Sequence, residues 1–493
     1  MIKGIWFSTT GSYDLFFLKR DYLASKNLNN SLNWGKFNNF VADKNIWILT
    51  EERPKNDVVE IILKKFSKDY NKNIQISKIN VKPIIIDKKF EFRYIVEGVK
   101  LKDIDKIHLK IISGAEGSFV DFLVFNQNNE PTNQDSPIYI IEETKTNPSE
   151  SRNVAVFQRT SKFVFLELFE NNSDAEKIML YSIRLKYYTL PPTFIFGIKA
   201  MKTLGVTIIG LNEAEEGKNE KFETIDELIE FKNSIATTRA DNTPLSIHKT
   251  DDEGVYRISG KLEKSGAFSH DPNMGAITLL AKLIKKLDRN TKKIIVFNHG
   301  LTQKMVKNSE NKFVKIANAL GIELKGLTLQ KPQVDKEYWK YNNTGEKIGS
   351  ILLHLLLQYK GIKIIYENHA GCEQGYFEFP NGELKSIEKK TGKPDLILID
   401  DENKTIYLIE AEMAVNAEKP KKGVNQLSSF NEVETNFCSS YIGYEFERIV
   451  VLYGDEIPSN VEKIILQIKT DGEIICYDSC PEFIKNIVNE MSP

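Results

Sequence analysis

The sequence predicts an α/β fold, with central mixed sheets flanked by helices, divided into two domains at residues 1–240 and 241–493. Three observations predict it. A chain of 493 residues exceeds one ordinary core, which favours two or three domains. Hydrophobic residues make up 41% and charged residues 27%, the balance of a soluble globular protein. One order of elements, namely helix, β-hairpin, two short strands and helix, occurs twice along the chain.

In the first half, a helix over 57–70 precedes a β-rich run from 74 to 113. The apolar stretch FVDFLVF at 119–125 reads as a buried strand carrying Asp121. After a polar turn come a strand at 138–145 and a helix from about 151 to 170. The joint between the halves lies in the polar stretch 212–252, where Thr224 and Glu227 form a capping box that opens a short helix. In the second half, a helix near 345–359 leads into strands at 362–367, 376–379, 395–399 and 405–413. A helix around 424–435 and a strand at 448–453 complete the set.

Both halves place carboxylates at corresponding spots. Asp121 sits in one strand and Glu143-Thr144-Lys145 ends the next; Pro394-Asp395 opens one strand and Glu410-Ala411-Glu412 ends the next. Residues i and i+2 of a strand share a face, so Glu143 projects with Lys145 and Glu410 with Glu412. Glu142 points the other way on this reading. Neighbouring strands lie about 5 Å apart, which brings Asp121 beside Glu143 and Asp395 beside Glu410. Carboxylates converging at a strand end form the hard oxygen site that Mg²⁺ prefers, so Asp121, Glu143, Asp395 and Glu410 are the expected metal ligands. Lys145 is suited to orient an attacking water and offset developing phosphate charge. A lone Asp…Glu-x-Lys in a charged chain is ordinarily a solvated strand end. Here both strand pairs read as buried, and the pattern occurs twice.

On these residues the chain resembles the PD-(D/E)XK nuclease superfamily, which includes most type II restriction endonucleases. Val120 stands where that signature usually has proline, and Glu412 replaces the final lysine of the second copy, with Lys393, Lys419 and Lys421 as candidate substitutes. The resemblance implies two restriction-endonuclease-like domains. It implies Mg²⁺-dependent hydrolysis of phosphodiester bonds in double-stranded DNA, with Mn²⁺ an accepted substitute for Mg²⁺. One active site per strand is expected, with Asp121, Glu143, Lys145, Asp395, Glu410 and Glu412 catalytic. The competing expectations are one active domain beside a catalytically dead DNA-reading domain, and a noncatalytic DNA-binding protein on a nuclease scaffold.

Composition limits partners. The 67 basic and 68 acidic residues give a net charge of −1, so any nucleic-acid contact has to be a local basic face. From 276 to 331 twelve Lys or Arg face only three acids, which marks the best phosphate-facing candidate; a solvated helix face is the competing reading. Arg152, Gln158, His270, Lys304 and Lys307 are the weaker DNA-contact candidates. Helix capping is the simpler reading of the Ser269–Asn273 segment that holds His270. His354 reads as a core histidine and Glu346 as a helix-start acid. The four cysteines (Cys372, Cys438, Cys476, Cys480) form no metal knuckle and suit a reducing, cytoplasmic setting. No signal peptide, membrane span or obligate protein partner is expected, and the chain is a monomer or homodimer.

Overall fold

The buried run Ile46–Leu49 lies in the middle of an eight-stranded sheet. The computed structural model describes residues 45–51, 54–114, 120–144, 154–181, 192–210, 220–235, 245–260, 272–307, 312–329, 339–340, 345, 347–368, 376–387, 392–459 and 461–492. These all belong to one compact unit, 43–493. The sheet comprises β1 (Asn45–Thr50), β2 (Ile74–Ile86), β3 (Lys89–Leu101), β4 (Lys106–Ile111), β6 (Phe122–Asn126), β7 (Tyr139–Thr144), β8 (Glu176–Tyr181) and β9 (Thr207–Ile209), in the order β2-β3-β4-β1-β6-β7-β8-β9. The short β5 (Ser113–Gly114) instead pairs with β14 (Trp339–Lys340). Helices α1 (Asn56–Asp69), α2 (Val154–Leu166), α3 (Pro192–Thr203) and α4 (Ile225–Ile235) accompany it.

A four-stranded sheet follows: β10 (Ser246–Lys249), β11 (Val255–Ser259), β12 (Lys293–Phe297) and β13 (Ile322–Leu324), in chain order, with α5 (Pro272–Leu287) and α6 (Lys312–Ala319) as crossovers. After α7 (Ile348–Tyr359) comes a six-stranded sheet of β15 (Lys363–Glu367), β18 (Leu396–Asp400), β19 (Thr405–Met413), β20 (Glu445–Tyr453), β21 (Ile464–Ile468) and β22 (Ile474–Cys476). The hairpin β16 (Tyr376–Glu378) and β17 (Leu384–Ser386) forms its own two-stranded ladder packed against it through Phe377, and α8 (Glu418–Gln426), α9 (Asn431–Asn436) and α10 (Glu482–Glu490) flank it. The architecture is therefore α/β, mixed sheets flanked by helices.

The pairing senses repeat. Along β1-β6-β7-β8-β9 they run antiparallel, antiparallel, parallel, parallel. Along β15-β18-β19-β20-β21 the same series recurs.

Strand alternation distributes the side chains among three cores. Leu49, Leu123, Ile140 and Met179 face one core, shared with α2, α3, α5 and the inner side of the four-stranded sheet. Their neighbours Ile48, Val124, Ile141 and Leu180 face a second core, which also holds α1, α7 and Leu398, Tyr407, Ile409 and Val451 of the six-stranded sheet. The opposite side of that last sheet, through Ile397, Ile399, Leu408, Val450 and Leu452, packs on Leu427, Phe430, Val433 and Phe437.

Near residue 240 the chain passes from one sheet to the next, but packing continues across it. Lys232 donates to the Leu245 carbonyl and Asn233 bonds the backbone of Ile247. The Thr224 hydroxyl caps α4 by accepting from Glu227 N–H, while the Glu227 carboxylate accepts from Glu223 N–H. The helix expected over 424–435 is broken into α8, a short 3-10 turn at Leu427–Phe430, and α9. At the far edge, the β2–β3 turn grips the β21–β22 turn: Phe90 N–H donates to Gly472 O at 2.8 Å, Ile474 N–H to Lys88 O at 2.9 Å, and Lys89 pairs with Asp471 at 2.6 Å.

Candidate active site

Register sets the geometry of both strand pairs. β18 runs antiparallel to β19 with Leu396 opposite Ile409, so Asp395 stands opposite Glu410. The Asp395 backbone N–H donates to Ile409 O at 2.8 Å, and its carboxylate accepts the Ala411 N–H at 2.9 Å. In the first half, Phe122 lies opposite Ile141, which sets Asp121 opposite Glu142. The Asp121 carboxylate accepts the next backbone N–H, that of Glu143, at 2.5 Å. The two arrangements match bond for bond: Asp121 corresponds to Asp395, Glu142 to Glu410, Glu143 to Ala411, and Thr144 to Glu412.

This differs by one residue from the alignment expected from sequence. Glu143 lies beside Asp121 through its backbone. Its side chain follows Ile141 towards the second core, whereas Glu142 follows Ile140 towards α2 and shares a face with Asp121. Glu142 is fully buried and Glu143 is 4% exposed. Helix α2 supplies the partners of Glu142: Arg159 at 2.7 Å and Lys162 at 2.9 Å. Arg159 also reaches Asp121 at 3.7 Å and donates to the Glu143 carbonyl. Burial and the nearby Asp121 charge push the Glu142 pKa up, and Lys162 and Arg159 hold that rise back. For the two cations burial opposes the charge, but Glu142 and Asp121 outweigh it and raise both pKa values. Glu51, just past β1 and opposite Asp121, adds a third carboxylate to this row, and its charge also helps raise the Lys162 pKa.

The second centre differs. Asp395, Glu410 and Glu412 are all buried, and all three share the face that follows Ile397, Ile399 and Leu408. Lys347, just before α7, pairs with Asp395. From α8, Gln426 donates to Glu410 Oε1 at 2.9 Å and Lys422 to Glu412 Oε1 at 2.8 Å. Gly423 makes this close approach possible, since a Cβ there would lie 2.8 Å from Glu412 Cγ. Asn368 continues the row, because its N–H donates to Asp395 O at 2.8 Å directly across from that residue. Lys347 and Lys422 bring positive charge to Asp395 and Glu412 from outside the strand pair.

That donor set suits a hard divalent cation. All three acids offer oxygen, and among the described residues the buried Glu412 Oε2 and Asn368 Oδ1 have no hydrogen-bond partner. The side chains as placed do not close on a common point: among the described residues no group of three or more His, Cys, Asp or Glu is arranged to hold a metal. The first centre fits a cation less well, since Arg159 and Lys162 already occupy Glu142.

Lys145, Arg152 and His270 lie outside the described residues, as does Glu346. Gln158 lies on α2, with its side chain outside them. Lys304 and Lys307 are exposed just beyond β12, far along the chain from either carboxylate pair. Of the expected lysine substitutes, Lys421 pairs with Glu418 at 3.4 Å, while the adjacent Lys422 reaches Glu412 at 2.8 Å. His354 is buried as expected, with Nδ1 2.9 Å from Glu367 Oε2. Sequence reasoning missed Glu142, Arg159, Lys162, Lys347, Asn368, Lys422 and Gln426. For the helix residues, one signal was available: each acidic strand is followed within a turn or two by a helix carrying polar residues at i and i+3 or i+4.

No protein-family model, curated protein or solved structure matches the chain. Among the described residues no helix is long and apolar enough to cross a membrane.

Proposed function

We propose that the chain is a divalent-metal-dependent endonuclease of the restriction type, acting on double-stranded DNA, with its principal cutting centre at Asp395, Glu410 and Glu412. One observation carries the reading. Three buried carboxylates share one face at the end of a strand pair, and among the described residues the buried Glu412 Oε2 accepts no hydrogen bond. Burying such charge costs stability, and a site that tolerates the cost is a functional candidate. The resemblance to PD-(D/E)XK nucleases supports the same assignment.

Asp395, Glu410 and Glu412 would be the residues to hold a Mg²⁺ ion, which would supply Lewis acidity there. The chain's own residues do the rest. Asp395 braces the two strands through the Ala411 N–H, and Gln426 fixes the rotamer of Glu410. Lys422 brings a positive charge to the acidic face, where the resembling signature carries it on the strand.

The test is plasmid cleavage in Mg²⁺ by wild type, Glu410→Gln and Glu142→Gln. Loss of all cutting in Glu410→Gln alone supports a single centre. A second reading, one centre per strand, is favoured by the repeated strand order and repeated Asp clamp. It predicts nicked circles from each variant. Wild type inert towards diverse DNA sinks both.

A further inference from the structure

Among the described residues the four-stranded sheet is covered on one face and open on the other. Its crossovers, β11–α5–β12 and β12–α6–β13, step in the same direction, and two crossovers of the usual hand put both helices on one side. Ile247, Tyr256, Ile258, Ile294, Val296, Ile322 and Leu324 accordingly pack into the first core with the residues of α5. The alternate residues point away from it. His248, Arg257, Glu323 and Lys325 are exposed, and Phe297 is half-buried. Parallel strands are ordinarily covered on both sides, so an open face invites a partner.

Chemistry narrows the partner. His248 lies opposite Arg257, and Ser259 beside Phe297. The Arg257 guanidinium is 5.1 Å and the Lys325 ammonium 4.5 Å from the Phe297 ring centroid. Glu323, the acid of this face, is taken up by Lys293. Among the described residues Arg257 and Lys325 have no carboxylate partner, and neither do Lys304 and Lys307 on the loop beyond β12. Gln303 ties that loop to the chain after β13, exchanging hydrogen bonds with the Thr328 backbone at 2.8 and 3.0 Å. The loop lysines and Lys325 thus border one another. In a chain of net charge −1, Arg257 and Lys325 over the half-buried Phe297 ring, with Lys304 and Lys307 on the neighbouring loop, form a local anion-binding surface. Lys282 of α5, in the same basic stretch, is instead paired with Glu167.

We propose that this open face is a nucleic-acid-binding surface. Arg257, Lys325, Lys304 and Lys307 take backbone phosphates, and Phe297 holds the Arg257 and Lys325 heads in place by cation–π contact. It deepens the nuclease reading and rests on it only in specifying duplex DNA as the ligand.

Fluorescence anisotropy of a labelled DNA duplex in EDTA tests it without cleavage. Arg257→Ala/Lys325→Ala is expected to bind about tenfold or more weakly, with the salt slope reduced by about 2 for two lost phosphate contacts. Lys304→Ala/Lys307→Ala is expected to weaken binding in the same sense. Lys286→Ala/Arg289→Ala, from the same basic stretch but off this face, should bind as wild type. All these side chains are exposed, so circular dichroism and melting should not change. Wild-type affinity in the two face variants, or equal weakening in the α5 variant, overturns the proposal. So does poly-glutamate binding as tightly as the duplex, which would place an acidic protein there. If the face variants lose binding and wild type never cuts in Mg²⁺, the surface stands and the nuclease reading falls. If wild type cuts and the face variants bind and cut equally well, the surface alone falls.

Discussion

Asp395 accepts the N–H of Ala411 while standing opposite Glu410, so one carboxylate both closes the strand pair and lines the acidic face. The two roles separate by mutation. Asp395→Ala removes the brace and leaves the Lys347 ammonium without its carboxylate, at an expected cost of about 3 kcal/mol in denaturant unfolding. Glu410→Gln keeps the shape and a carbonyl oxygen for Gln426. It should unfold within about 1 kcal/mol of wild type while losing Mg²⁺-dependent cutting.

Arg159 and Lys162 exist to hold a charge that Glu142 cannot share with water. Arg159→Met removes one of the two cations on that fully buried carboxylate and leaves Lys162 alone to hold it beside Asp121, at an expected cost of about 3 kcal/mol, the lower end for a broken buried pair. Adding Glu142→Gln should recover most of the loss. A double-mutant cycle by urea unfolding measures the coupling, and additive losses would refute it.

His108 gives the fold a pH limit. It stacks on Trp47 with ring centroids 4.1 Å apart and is 6% exposed. Burial, then the charges of Arg93 and Lys106, lower its pKa to about 4. Because the folded value lies below the unfolded one of about 6.5, the unfolded chain binds the proton first. The neutral ring's contribution is complete above about pH 6.5 and is lost as pH falls towards about 4, amounting to roughly 3 kcal/mol. His108→Phe should flatten that part of the stability profile, read by melting between these limits.

Gly423 lets α8 approach the acidic face. Gly423→Ala sets a methyl group against Glu412 and should cost about 1–3 kcal/mol. Because the helix carries Lys422 and Gln426, cutting should fall by more than the stability change accounts for. Unaltered cleavage in a variant of lowered melting temperature would separate the helix from the chemistry.

Much of this architecture is legible in the sequence, for reasons the packing makes plain. The strand expected at 405–413 is β19 to the residue, because its apolar run is buried on both faces and bounded by a turn. The Asp395–Glu410 pairing follows from the same two runs. What was not legible is register. Glu142 and Glu143 are adjacent and identical in type, and only the pairing of Phe122 with Ile141 decides which carboxylate joins Asp121. The partners from α2, α7 and α8 are equally hidden, because lysines and glutamines on helices look solvated until a tertiary contact selects them. The four-stranded sheet escaped for another reason: β10 and β13 are short, of four and three residues, and too brief for periodicity to register.

The grip between the β2–β3 turn and the β21–β22 turn, with the core shared by α1, α7 and two sheets, has a consequence for the gene. Cut at residue 240, it would yield two polypeptides that each expose half of that core. Separately expressed, each should aggregate; translated together, they should co-purify as a nicked whole. Halves built this way are inherited together, since neither can be traded to another gene and fold there.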